Sequence, residues 1–303
     1  MKAKIGGARL GFGCAAIPGP LTTREALTLL ETAFACGIRH FDTARMYSHG
    51  DSEDVLGELA RQRRDDLTLV TKAGIEPTSR LMRGVNRFAA AFRLGGAAPR
   101  LGRFEPAEIQ RSVETSLRKL KTDRVDALLL HEIRAHEVRD EVLRLMERMR
   151  DDGKIGAFGI ATSVADSETL IASHPELCGI VQVPASWLDR PRRLPANARL
   201  IVHSVLGARL ATFVNRLKAD EQLARRFRAD TGLAAHDIGK IGRLMLQAAM
   251  FRNPDGVTLF ASSQLERVRR NADLLTAKAD APAIHALERA MRAPGDMRRE
   301  ATQ

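Results

Sequence analysis

The feature that most constrains this chain is a recurring alternation of short apolar runs with amphipathic helical stretches. Residues 22–37 open with Thr22 three positions before Glu25, place apolar side chains at Ala26, Leu29, Leu30 and Ala33, and close on Gly37. That is a capping box, one apolar helical face and a stop signal. The next residues, Ile38 to Ala44, are short and strand-like. The pattern then predicts a helix near 52–62, strand Leu67–Thr71, a helix near 106–121 opened by Pro106, and strand Val125–Leu130. A helix near 137–152, strand Gly156–Ala161, a helix near 166–173, and strands Gly179–Val183 and Leu200–Val202 follow. Beyond residue 210 come helices near 219–230 and 236–251, strand Gly256–Phe260, and helices near 264–277 and 282–292.

With Leu10–Gly13 at the start, eight strands are predicted in 303 residues. Short apolar strands separated by amphipathic helices argue for parallel strands buried on both faces. Eight of them predict an α/β fold, a single-domain (β/α)8 TIM barrel over residues 1–293. A doubly wound sheet would want a glycine fingerprint after the first strand, and Gly11-Phe12-Gly13-Cys14 does not extend to one. Two segments depart from the repeat. Residues 76–104 form a long basic connection, expected to hold a short helix at 80–92, and residues 294–303 have no apolar period and are expected to be a disordered tail.

Composition narrows the function classes. No apolar run approaches the roughly 18 residues of a membrane span. Three cysteines, Cys14, Cys36 and Cys178, offer no disulfide framework or metal-binding spacing, which suits a reducing cytosol and a protein without a bound metal. The N-terminus carries no uninterrupted apolar stretch of the kind an export signal needs, so a cytoplasmic protein is expected. A net charge of +11 invites a nucleic-acid partner, yet only 4% of residues are aromatic, against the stacking that single-strand binding uses. No nucleic-acid partner is expected.

Chemistry in such a barrel sits at the C-terminal ends of the strands. There the predicted strands deliver Asp42, followed five residues on by Tyr47, then Lys72 and His131. Singly, each has an ordinary role: a turn cap, a loop residue, a lysine reaching solvent, a core histidine. Together they put an acid, a phenol, an ammonium and an imidazole at successive strand ends. Tyr47 is also the only tyrosine in the chain.

The stretch Asp42-Thr43-Ala44-Arg45-Met46-Tyr47, with Gly50, Ser52-Glu53 and Leu56-Gly57, resembles the first signature of the aldo-keto reductase superfamily. Val113 to Leu120, then Asp123, Val125-Asp126 and Leu128-Leu129-Leu130-His131, resembles its second. The similarity runs from about residue 8 to 275. It implies the same barrel, a small carbonyl substrate, NADPH or NADH as cofactor, and Asp42, Tyr47, Lys72 and His131 as the catalytic four. It also implies cofactor contacts. Thr162 and Gln182 would stand at the nicotinamide carboxamide, with Ala161 where the family has a serine. His203 would stand where an aromatic commonly stacks, and Ser204, Leu206 and Gly207 at the pyrophosphate. Ser262, Arg267 and Asn271 would stand at the adenosine phosphate, with Ala261 where many NADPH-preferring members carry lysine. Trp187 would lie near the substrate cavity or under a loop.

The side chains make that chemistry intelligible. Hydride addition leaves negative charge on the carbonyl oxygen, so a proton donor must already point there. Tyr47 is the expected acid, Lys72 is expected to lower its pKa, Asp42 to hold Lys72, and His131 to orient the substrate. The alternative is a nicotinamide-nucleotide-binding regulatory or scaffold protein on the same barrel with little turnover, motivated by Ala161, Thr162 and His203. A Schiff-base aldolase using Lys72 is a third class.

Overall fold

The computed structural model describes residues 9–77, 102–184, 194–195 and 197–292. Eight strands close into a barrel in sequence order, every neighbouring pair parallel. They are β1 (Leu10–Gly13), β2 (His40–Asp42), β3 (Thr68–Ala73), β4 (Val125–His131), β5 (Ile155–Ala161), β6 (Ile180–Pro184), β7 (Arg199–His203) and β8 (Val257–Phe260). The helices are α1 (Thr23–Ala35), α2 (Asp51–Arg63), α3 (Pro106–Lys119), α4 (Asp140–Asp151), α5 (Val164–Ser173), α6 (Ala208–Ala219), α7 (Glu221–Thr231), α8 (Ile238–Arg252), α9 (Leu265–Ala272) and α10 (Ala281–Met291).

The strands read as unbroken apolar runs because each has two dry faces. Val70, Ala127, Leu129, Ile180, Ile201, Val257 and Leu259 fill the barrel interior. Leu69, Leu128 and Leu130, one residue out of phase, pack outward under the helices. At α1 the capping box is present as expected, the Thr22 side chain accepting from the Glu25 N–H and Glu25 accepting from the Thr22 N–H. One expectation is corrected. The first helix expected beyond residue 210 starts near 219, but residues 208–219 already form α6, and only Asp220 separates it from α7. Its apolar face, Phe213, Val214 and Leu217, is buried.

The connection after β3 is pinned at its root. Ile75 pairs antiparallel with Gly102, and the Arg103 N–H donates to the Gly74 carbonyl at 2.6 Å. The expected helix at 80–92, Trp187 and the expected tail lie outside the described residues. No helix among the described residues is long and apolar enough to cross a membrane.

Helices α2 and α3 approach so closely at Gly57 that an added Cβ would lie 2.1 Å from the Lys119 carbonyl oxygen. Backbone cannot yield there as a flexible side chain can. Gly57→Ala is therefore expected to lower unfolding stability by about 2–3 kcal/mol, read as a drop in denaturation midpoint. An unchanged midpoint would show that the helices can separate freely.

Candidate active site

Strand register sets the site. Asp42 ends β2 beside Gly13 of β1 and Val70 of β3, and Lys72 of β3 lies beside Leu129 of β4. His131 ends β4 beside Ala161 of β5, and Gln182 of β6 lies between Ala161 and Ile201. Lys72 and Asp42 are both 2% exposed. The Lys72 ammonium donates to Asp42 Oδ1 at 2.5 Å and to the Thr43 carbonyl at 2.8 Å, while Gln182 Nε2 donates to Asp42 Oδ2 at 3.0 Å. Both oxygens of Asp42 are thus engaged, and the ordinary roles of solvent-reaching lysine and turn-capping aspartate do not apply.

Tyr47 arrives from the turn after β2, in a short 3₁₀ segment, Tyr47–Gly50. Ser48 and His49 adopt left-handed backbone there, at φ 49° and 60°, ahead of Gly50 at 90°. Such conformations are unfavourable for residues with a Cβ and persist only where the surroundings enforce them. The turn brings the Tyr47 ring centroid to 4.9 Å from the Lys72 ammonium and to 6.0 Å from the His131 ring, edge-on at 89°. The structure therefore brings all four expected side chains together.

Lys72 has the expected downward effect on Tyr47, but it is outweighed. Burial raises the Tyr47 pKa by more than the nearby Lys72 ammonium lowers it, so the phenol ends above its ordinary value. Burial also works against the charge on Lys72, but Asp42 and Tyr47 outweigh it and hold the ammonium above the usual lysine range. Burial, then Lys72, then His203 push His131 down to about 3. Burial and Lys72, against Asp42, push His203 to about 4. Both imidazoles are neutral at physiological pH. Burial, with a smaller contribution from Lys72, holds His40 at about 4 deeper in the barrel, against Asp42 and Asp126.

These depressed values dictate the acid response of the fold. A histidine in the unfolded chain titrates near about 6.5. Between there and about 4 the unfolded chain binds protons that the folded one refuses, so stability falls as pH falls. Each such histidine contributes roughly 1.4 kcal/mol per pH unit in that window. Urea unfolding at about pH 5 is expected to require distinctly less denaturant than at about pH 7. A midpoint that rose on acidification would contradict the buried neutral state.

A cavity of about 510 Å³ opens on this mouth, lined by Asp42, Tyr47, Gln182, His203, Ser204, Leu206 and Gly207 and continuing to Ala261. Gly207, at φ 64°, precedes α6, whose first amide groups have no side-chain cap. Uncapped helix N-termini favour anions. Thr162 is 2% exposed with its hydroxyl unpartnered, and Gln182 Oε1 is likewise buried without a partner. His203 Nδ1 lies 2.9 Å from Ser204 Oγ. Farther along, Ser262 Oγ accepts from the Gln264 N–H at 3.1 Å, Arg267 is exposed, and Asn271 is half-buried on α9.

Two features escaped the sequence reading. The start of α6 at the cavity wall is one, although Gly207 followed by Leu210, Phe213, Val214 and Leu217 carries the helical period. The other is a buried network behind Tyr47, in which Glu53 accepts from Arg45 and from Thr71. Arg45, Ser52 and Glu53 were visible in the first signature without an assigned role.

A closed parallel barrel whose mouth gathers a phenol, an ammonium and its carboxylate, and a neutral imidazole beside an anion-favouring helix end is a (β/α)8 protein equipped for proton transfer. The description of the aldo/keto reductase family matches residues 9–208, and the chain belongs to that family. Among curated relatives, D-threo-aldose 1-dehydrogenase of a Pseudomonas species is 29% identical over 81% of this chain and 77% of its own length. An uncharacterized oxidoreductase of Bacillus subtilis, YqkF, is 30% identical over 50% of this chain, a match that spans 44% of that protein. Among solved structures, an aldo-keto reductase of Klebsiella pneumoniae in complex with NADPH has a TM-score of 0.66 at 22% identity, covering 94% of this chain and 92% of that one. The holo form of aldo-keto reductase AKR11C1 of Bacillus halodurans has a TM-score of 0.69 at 20% identity over the same shares. At those identities the structural likeness is one of fold.

Proposed function

We propose that the protein interconverts an aldehyde or ketone and its alcohol with NADPH as cofactor, and that Tyr47 is the general acid and base. The observation that carries this reading is the convergence of Tyr47 with the Lys72–Asp42 pair and neutral His131 at one cavity mouth. The NADPH complex of the Klebsiella relative and the dehydrogenase name of the Pseudomonas relative support it.

The residues present fit a nicotinamide dinucleotide. Gln182 Oε1 and Thr162 Oγ1 are orphaned polar atoms suited to a carboxamide. His203 would flank the ring, and Ser204, Leu206, Gly207 and the first amides of α6 would meet the pyrophosphate. Ser262, Arg267 and Asn271 would take the adenosine phosphate end, where a guanidinium suits a 2′-phosphate. When bound, the cofactor would supply the hydride for the carbonyl carbon. Tyr47 gives its proton to the carbonyl oxygen, and the phenolate left behind faces the Lys72 ammonium. Asp42 keeps that ammonium charged and aimed, and His131 presents a ring N–H to the same oxygen. The raised pKa of Tyr47 keeps its proton in place at neutral pH, which favours the acid role in reduction.

Fluorescence titration with NADPH and NADH, followed by a panel of aldehydes and ketones, tests the reading. Tight NADPH binding with oxidation by at least one carbonyl compound is expected. Binding with no turnover across the panel would replace it with the nucleotide-binding regulatory protein.

A further inference from the structure

The network behind Tyr47 suggests how the acid is held. Arg45 lies two residues before Tyr47, and Thr71 lies one residue before Lys72. Between them stands the Glu53 carboxylate, with no solvent exposure, on α2. Arg45 donates to Glu53 Oε2 at 2.9 Å, and the Thr71 hydroxyl donates to Glu53 Oε1 at 2.7 Å. Arg45 is 6% exposed, and its other terminal nitrogen reaches Glu76 at 3.4 Å. One carboxylate therefore joins the turn that carries the phenol to the strand that carries the ammonium.

We propose that Glu53 is a positioning residue: it fixes the Tyr47 phenol against Lys72 by tying residue 45 to residue 71. This rests on the function proposed above. The left-handed backbone at Ser48 and His49 would relax if the turn were free, so something must hold it. Lys119 on α3 holds its far end by donating to the Gly50 carbonyl at 3.1 Å. Glu53 holds its near end, and as a fully buried charge it strongly resists losing either partner. Residues 45–50 then run between two fixed points, which sets where Tyr47 points. Displacing a reacting group by about 1 Å can cost about 100-fold in rate, so the tie bears on turnover while touching neither substrate nor cofactor.

Because Tyr47 is the only tyrosine, labelling tyrosine with ¹³C at the phenolic carbon gives one resonance that reports its surroundings without any assay of activity. Thr71→Val removes one donor at nearly constant shape. It is expected to lower kcat about 10-fold with KM within about 2-fold, and to shift or split the tyrosine resonance. Glu53→Gln keeps both contacts, its oxygen accepting from Arg45 and its amide donating to the Thr71 hydroxyl. It should retain at least about a third of the rate and a resonance close to the parent's. An unmoved resonance in Thr71→Val overturns the positioning role. If the parent reduces no carbonyl compound, the function proposed above falls, and the resonance alone still decides whether Glu53 positions the ring.

Discussion

Replacing Tyr47 with phenylalanine is expected to cut kcat for carbonyl reduction by about 10²–10⁴-fold, the usual worth of a positioned general acid. NADPH affinity should stay within about 3-fold, because the phenol hydroxyl is the only group removed and the ring keeps its edge contact with His131. Single-turnover measurement of NADPH oxidation separates the two quantities. A rate within about 3-fold of the parent would remove Tyr47 from the chemistry. The reverse direction adds a sign check. Alcohol oxidation needs the phenolate, and burial holds the phenol above its ordinary pKa. Oxidation by the parent should therefore climb with pH throughout the alkaline range, and Tyr47→Phe should lose that climb.

Lys72→Met is the second large effect, and it acts on two quantities. Among the described residues, the Asp42 carboxylate would be left buried with only the Gln182 amide as side-chain partner. Breaking a buried ion pair from one side typically costs about 3–5 kcal/mol of stability. The rate should fall by about 10²–10³-fold, since no fixed positive charge would face the developing phenolate. Combining Lys72→Met with Asp42→Asn should recover much of the stability and none of the rate. Recovery of the rate in the double variant would show that the pair serves the fold alone.

The barrel was legible because its strands are dry on both faces, so a run such as Leu128-Leu129-Leu130 appears as unbroken apolar sequence between helical periods. Asp42, Lys72 and His131 were legible for a related reason, being polar residues at or beside the ends of such runs. The α6 helix was missed because a single residue, Asp220, separates it from α7, and two amphipathic periods that nearly abut blur one another. The raised pKa of Tyr47 was not legible either. Its sign depends on whether desolvation or the Lys72 charge wins, and burial is a property of the closed cavity wall rather than of neighbours in the chain. The distance from phenol to ammonium depends on two left-handed residues, Ser48 and His49, that no glycine pattern announces.

The second oxygen of Asp42 decides which way the Gln182 amide must face. A carboxylate paired with an ammonium can only accept, so the glutamine turns its nitrogen inward and leaves its oxygen unanswered at the wall. Whatever fills the space beside it has to bring a hydrogen. In the arrangement proposed above, a carboxamide would do so through its N–H, whereas a carboxylate would set oxygen against oxygen.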